Sequence, residues 1–213
     1  MAQDLKVLRS SADAAAELTM AAASSAVTHA LHAGARVPSF VLPDKHGHKV
    51  ALDQLLNSGP VVINFLRGSW CTFGEESLAQ FTAMHERISS AGAKAVAIAP
   101  PDASARQASR LPIPELVDRN LRLARAFGLT FDLPESLHGR YLELGYAPPR
   151  ARKSGGFLVP VPATYLIDEA GCVVFAHVDF DYRNGFDGES LLKVLHALRA
   201  GREARHRGDG TRR

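Results

Sequence analysis

An apolar, β-branched run, Val61-Val62-Ile63, passes through Phe65-Leu66-Arg67-Gly68-Ser69-Trp70-Cys71-Thr72-Phe73-Gly74. It gives way at once to residues Leu78, Phe81, Met84 and Ile88 at helical spacing. A short run that is apolar at successive positions predicts a strand buried on both faces. The 3.6-residue spacing after it predicts a helix from about Phe73 to Ala91. Strand, short glycine-containing loop, cysteine, helix is a layout that holds a thiol where a helix begins. Unpaired backbone N–H groups and the positive end of the helix dipole favour thiolate over thiol there.

The other segments set this unit in an α/β frame. Residues 12–32 read as a helix with Leu18, Val27 and Leu31 as anchors, and Gly34 ends it. Pro38–Leu42 and the segment from Val50 read as a hairpin around Lys45-His46-Gly47-His48. Leu52–Leu56 reads as one or two helical turns. Ala95–Ala99 is a second apolar strand, closed by Pro100-Pro101. Asp102 and Asp118 are candidate helix caps, the second ahead of Leu121, Ala124 and Phe127. Residues 131–160 hold a helix from Glu135 to Leu144 inside an otherwise irregular insertion or long loop. Ala163–Ile167 and Cys172–Val178 form a hairpin across Asp168–Gly171, and Leu191–Leu198 closes the fold as a helix. A parallel βαβ unit followed by an antiparallel hairpin predicts an α/β sandwich, a mixed central sheet flanked by helices. Cys71 then stands at the carboxyl end of a central strand, where sites in open α/β sheets gather.

Composition narrows the function classes. The chain has 213 residues and two cysteines, too few for a disulfide scaffold. The apolar stretch over 12–31 is broken by Glu17, Ser24, Ser25, Thr28 and His29, which argues against a signal peptide or membrane span and for a cytoplasmic protein. A net charge of +3 resides in the end of the chain: residues 199–213 hold six Arg against two acids, so the body is near neutral. That pattern predicts a solvated, disordered basic tail, and with no aromatics interleaved it argues against nucleic acid as a partner. The expected division is a helical extension over 1–33, a domain over 34–200 and a tail over 201–213. His46 with His48, and His29 with His32, fall short of the four matched ligands of a metal site.

Four pieces carry a resemblance to a known family: Gly34-Ala35-Arg36-Val37-Pro38-Ser39-Phe40 with Leu42 and Gly47; Phe65-x-Arg67-Gly68-x-Trp70-Cys71; Asp118-x-x-x-x-Leu123-Ala124-x-Ala126-Phe127-Gly128; and Val161-Pro162-Ala163-Thr164-Tyr165-Leu166-Ile167-Asp168 with Gly171. Together they resemble the thioredoxin-like superfamily, and within it the peroxiredoxin-like branch of alkyl hydroperoxide reductase and thiol-specific antioxidant type. The resemblance implies a thioredoxin-like sandwich and a peroxidatic cysteine at Cys71. Peroxide would oxidise that cysteine to a sulfenic acid, and a reducing thiol would restore it. It implies a cis Val161–Pro162 bond beside the cysteine, with Trp70, Thr72, Val161 and Pro162 shaping the site.

Three departures bear on mechanism. Gly74 stands where many relatives carry a second cysteine, so an external thiol such as thioredoxin or glutathione is the expected reductant. Asn64 and Gly68 replace the usual Pro and Thr. Pro162 falls where a later-strand Arg is usual, which leaves Arg67 as the electrostatic partner. The dipole alone is a weak activator, on the order of 0.3–1 kcal/mol, and Glu75 and Glu76 oppose it. Thr72 with Glu75 matches a capping box, which puts Cys71 just outside the helix; Ser69 as the cap would put it in the first turn.

The sequence reading is thus a single-cysteine thiol peroxidase without metal or organic cofactor. Two alternatives stand beside it: a thiol–disulfide oxidoreductase working through mixed disulfides, and a non-catalytic thioredoxin-like binding module. A homodimer stays open. The redox readings require the Cys71 sulfur to be exposed and held as an anion.

Overall fold

In the computed structural model, residues 17–18, 20–23, 27–71, 74–101, 112–143, 145–178, 181 and 187–209 are described. The central sheet has five strands in the order β5-β4-β3-β8-β9. These are β3 (Val61–Phe65), β4 (Lys94–Ala99), β5 (Glu115–Val117), β8 (Ala163–Ile167) and β9 (Val173–Val178). Strand β4 runs parallel to β3 and β5, whereas β8 is antiparallel to β3 and β9. The expected mixed sheet is therefore present. Strands β1 (Val41–Pro43) and β2 (Lys49–Ala51) form the expected hairpin.

Strand alternation divides the core. Val61, Ile63 and Phe65 face one side with Val96, Ile98, Tyr165 and Ile167. Against them pack Leu52 of α1 (Leu52–Leu56), Leu123 and Ala124 of α4 (Arg122–Ala126) and Tyr141 of α5 (Glu135–Glu143). Val62 faces the other side with Ala95, Ala97 and Leu166. There it meets Phe81 of α2 (Gly74–Ala83), Ile88 of α3 (His85–Ser90) and Leu191, Leu192 and Leu195 of α6 (Gly188–Asp209). All five residues of β3 are buried, as expected of a central strand covered on both faces.

The described part of the N-terminal segment packs on the first face. Ala23 is fully buried in that cluster, with Leu18, Ala22, Ala30 and Leu31 against it. The Leu31 amide donates to the Phe127 carbonyl at 3.0 Å, and the Tyr165 hydroxyl donates to the Leu31 carbonyl at 3.2 Å.

Several expectations change. The helix over 73–91 is two, α2 and α3, because an i→i+3 bond from the Met84 amide to the Phe81 carbonyl closes the first (3.1 Å). The segment 131–160 is more regular than expected: β6 (Thr130–Asp132) and β7 (Leu158–Pro160) pair across it as a two-stranded antiparallel sheet. The basic tail is helical through Asp209 rather than irregular, since α6 runs on. Its continuation is held by an Arg199–Glu203 pair one turn apart at 3.0 Å and by Arg202 on Glu169 at 2.9 Å. The helix proposed to follow Asp102 lies outside the described residues.

Candidate active site

The carboxyl end of β3 is where this fold collects chemistry. In register, Phe65 lies opposite Ala163 of β8 and beside Ile98 of β4. The loop Leu66–Cys71 therefore leaves the sheet where Pro100 follows β4 and where Val161-Pro162 enters β8. Two i→i+3 bonds fold the loop: the Cys71 amide donates to the Gly68 carbonyl at 3.2 Å, and the Gly74 amide to the Cys71 carbonyl at 2.9 Å. Helix α2 begins at Gly74. Cys71 thus precedes the helix. Thr72 and Phe73 themselves lie outside the described residues.

Gly68 has φ +99°, a conformation open to glycine, and a Cβ there would stand 2.8 Å from Pro100 Cγ. Only a glycine lets the loop lie this close to β4.

Cys71 is 2% exposed and Arg67 3%. The expectation of an exposed sulfur is corrected on this point: the cysteine is buried. It is one of the buried residues of the core, although it belongs to neither of the two large apolar clusters. The Arg67 guanidinium carbon lies 4.6 Å from the Trp70 ring centroid, within the range of a cation–π contact. Trp70 meets the Tyr146 ring edge-on at 6.0 Å, and Tyr146 meets Tyr141 at the same separation. The sequence reading missed both tyrosines. They come from the 131–160 segment, and helical spacing marks Tyr141 only as a core residue.

The strand register adds a polar row that sequence reading also missed. Asn64 lies opposite Thr164, and Thr164 opposite His177. Asn64 and Thr164 are both buried. Direct partners across antiparallel strands point to one face, here the face that carries α2.

Val161 is buried and its amide donates to the Leu129 carbonyl at 2.8 Å. The expected cis bond to Pro162 is absent, and the peptide is trans. Trans is the intrinsically favoured isomer even for a bond to proline. Asp118 is a cap as expected. It is buried, and its carboxylate accepts from the amides of Leu123 at 3.1 Å and Ala124 at 2.8 Å. Burial pushes its carboxyl above the ordinary range, although these backbone bonds favour the anion. Cys172 heads the hairpin strand, bonded through its amide to Asp168 at 2.8 Å. Among the described residues no group of three or more His, Cys, Asp or Glu gathers to hold a metal ion. No described helix is long and apolar enough to cross a membrane.

The profile of the AhpC/TSA family matches residues 33–176, the span that holds β1 to β8 and most of β9. The chain belongs to the AhpC/TSA family. Among solved structures it is similar to peroxidoxin BcpB from Mycobacterium tuberculosis, with 23% identity and a TM-score of 0.58, over 79% of this chain and 98% of that one. Peroxiredoxin Q of Xanthomonas campestris gives 19% identity and a TM-score of 0.56, over 79% and 99%. A mutant of the peroxiredoxin 6 of Arenicola marina gives 16% and 0.59, over 79% and 73%. At such identities the likeness establishes the thioredoxin-like fold. A search of curated proteins returns no match. Family membership supports a thiol peroxidase or a thioredoxin-like thiol oxidoreductase, and implies a peroxide substrate with a thiol reductant.

Proposed function

We propose that this chain is a single-cysteine thiol peroxidase acting on hydrogen peroxide or an organic hydroperoxide in the cytoplasm, with Cys71 as its nucleophile. The observation that carries this reading is the position of Cys71: in the turn between the central strand and α2, four residues after a buried arginine, in an AhpC/TSA chain. The Cys71 thiolate attacks one peroxide oxygen. An S–O bond forms, the O–O bond breaks, and the departing oxygen leaves as water or alcohol once protonated. An external thiol then attacks the sulfenic sulfur, expels water and leaves a mixed disulfide. A second thiol resolves it, so the two electrons come from the reductant. In this reading Arg67, buried in the same loop, is the electrostatic partner of the Cys71 thiolate. This reading assigns the shaping of the space around the sulfur to Trp70, Val161 and Pro162, and to Thr72, which lies outside the described residues.

The test is consumption of hydrogen peroxide and of cumene hydroperoxide by the full chain, with thioredoxin plus its reductase or with glutathione. Turnover that Cys71→Ser abolishes and Cys172→Ser leaves intact is expected, together with a sulfenate trapped on Cys71. Mixed disulfides at Cys71 without peroxide turnover would move the assignment to thiol–disulfide exchange. Absence of both would leave a binding module.

A further inference from the structure

A concave surface lies apart from the residues of the Cys71 loop. It is an open groove of about 390 Å³ between the segment Pro38–Pro43 and the stretch from Val117 to Ala126. That volume falls within the roughly 300–1,000 Å³ of small-molecule sites. None of its lining residues belongs to the Cys71 turn.

Both walls are fixed in advance. On one side, Asp44 bridges to Leu116 at the edge of β5, and Lys45 pairs with Glu115 at 2.7 Å. On the other, the buried Asp118 carboxylate holds the Leu123 and Ala124 amides. Asn120 and Leu121 both adopt left-handed backbone, with φ 62° and 51°, and so set the turn between Arg119 and Arg122.

The lining chemistry is lopsided. The floor and one rim are apolar: Phe40 is buried, and Val41 is 59% exposed, one of two large hydrophobic side chains so exposed among the described residues. The charged groups are Arg119, Arg122 and Asp118. Both oxygens of Asp118 are taken up by backbone amides, which leaves the two exposed guanidinium groups to meet a ligand. Among the described residues, no carboxylate pairs with either arginine. An apolar trough with uncompensated positive charge on one rim complements a molecule that is apolar along its length and anionic at one end. Arg presents the forked donors that a carboxylate accepts.

We propose that this groove binds a small amphipathic carboxylate, its head group on Arg119 and Arg122 and its hydrocarbon chain over Phe40, Val41, Leu42 and Pro43. The site stands independently of the chemistry assigned to Cys71.

The experiment is a titration of the ¹⁵N-labelled full chain with octanoate, read by amide shifts, beside acetate and octylamine at the same concentrations. Octanoate is expected to shift amides within 38–43 and 117–126 saturably, while acetate and octylamine leave them unmoved. Arg119→Gln with Arg122→Gln weakens the affinity at least about tenfold. Val41→Asp, at an exposed position the fold tolerates, removes binding while the remaining amide spectrum persists. Shifts by octylamine equal to those by octanoate, an unchanged affinity in the double arginine variant, or no saturable shift at these residues would each overturn the proposal. The outcome does not depend on peroxide turnover, which Cys71→Ser tests separately.

Discussion

Gly74 lies so close to Gly68 that a Cβ on it would overlap the Gly68 carbonyl oxygen, the same oxygen that accepts the Cys71 amide. The missing second cysteine is therefore built into the loop's geometry as well as its sequence. Backbone cannot swing aside as a flexible side chain does. Gly74→Ala and Gly74→Cys are expected to lower stability by about 1–3 kcal/mol, as overpacked sites do, and thermal unfolding measures this.

Arg67 and Trp70 are held face to face in the same loop. Removing either loses the cation–π contact, so their effects should not add. A cycle of Arg67→Met, Trp70→Leu and the double variant is expected to give a coupling of about 0.5–2 kcal/mol in urea unfolding. Arg67→Lys keeps the charge but loses the planar stack. It is expected to recover only part of the peroxide rate that Arg67→Met loses.

Asp118 offers a pH-dependent readout. Its carboxyl is pushed up by burial, so the folded chain keeps this proton to higher pH than the unfolded chain. Its contribution to stability is fullest below the unfolded carboxylate value and is lost as pH rises through the folded titration. Asp118→Asn lacks that decline. The stability difference between the two proteins, followed by urea unfolding from about pH 3 to pH 7, should shift in favour of the variant as pH rises. Asp118→Ala removes the cap altogether and is expected to cost about 1–2 kcal/mol near neutrality.

Tyr165 ties the sheet to the segment before Gly34 through its bond to the Leu31 carbonyl. Burial pushes its phenol well above the usual range. In an alkaline ultraviolet titration, one of the four tyrosines should therefore ionise only as the chain unfolds. The stability this group contributes is present below the unfolded phenol value and lost above it. Tyr165→Phe is expected to cost about 1 kcal/mol.

Most of the frame was legible because its signals are local. The apolar run at 61–66 and the one at 95–99 read as strands through composition. The hairpin at 168–171 shows its turn, and Asp118 reads as a cap because Leu121, Ala124 and Phe127 follow at helical spacing. Strand β5 was missed because three residues carry too little pattern, and β6 with β7 because they pair across 25 intervening residues. Helix α6 outran its reading because the Arg-rich composition suggested solvation, while pairs such as Arg202–Glu169 form only once the helix is docked.

What the amino-acid order determined by itself is the family, the strand–loop–helix unit and the presence of one thiol without a neighbour three residues on. Burial of Cys71, the Arg67–Trp70 contact and the tyrosines leaning on it were decided by tertiary structure. So was the cationic groove, whose walls lie some 75 residues apart in the chain. The physical reason is range. Helical and strand periodicity are set by neighbours a few bonds away, whereas burial and ring contacts depend on which distant segments the closed sheet brings together.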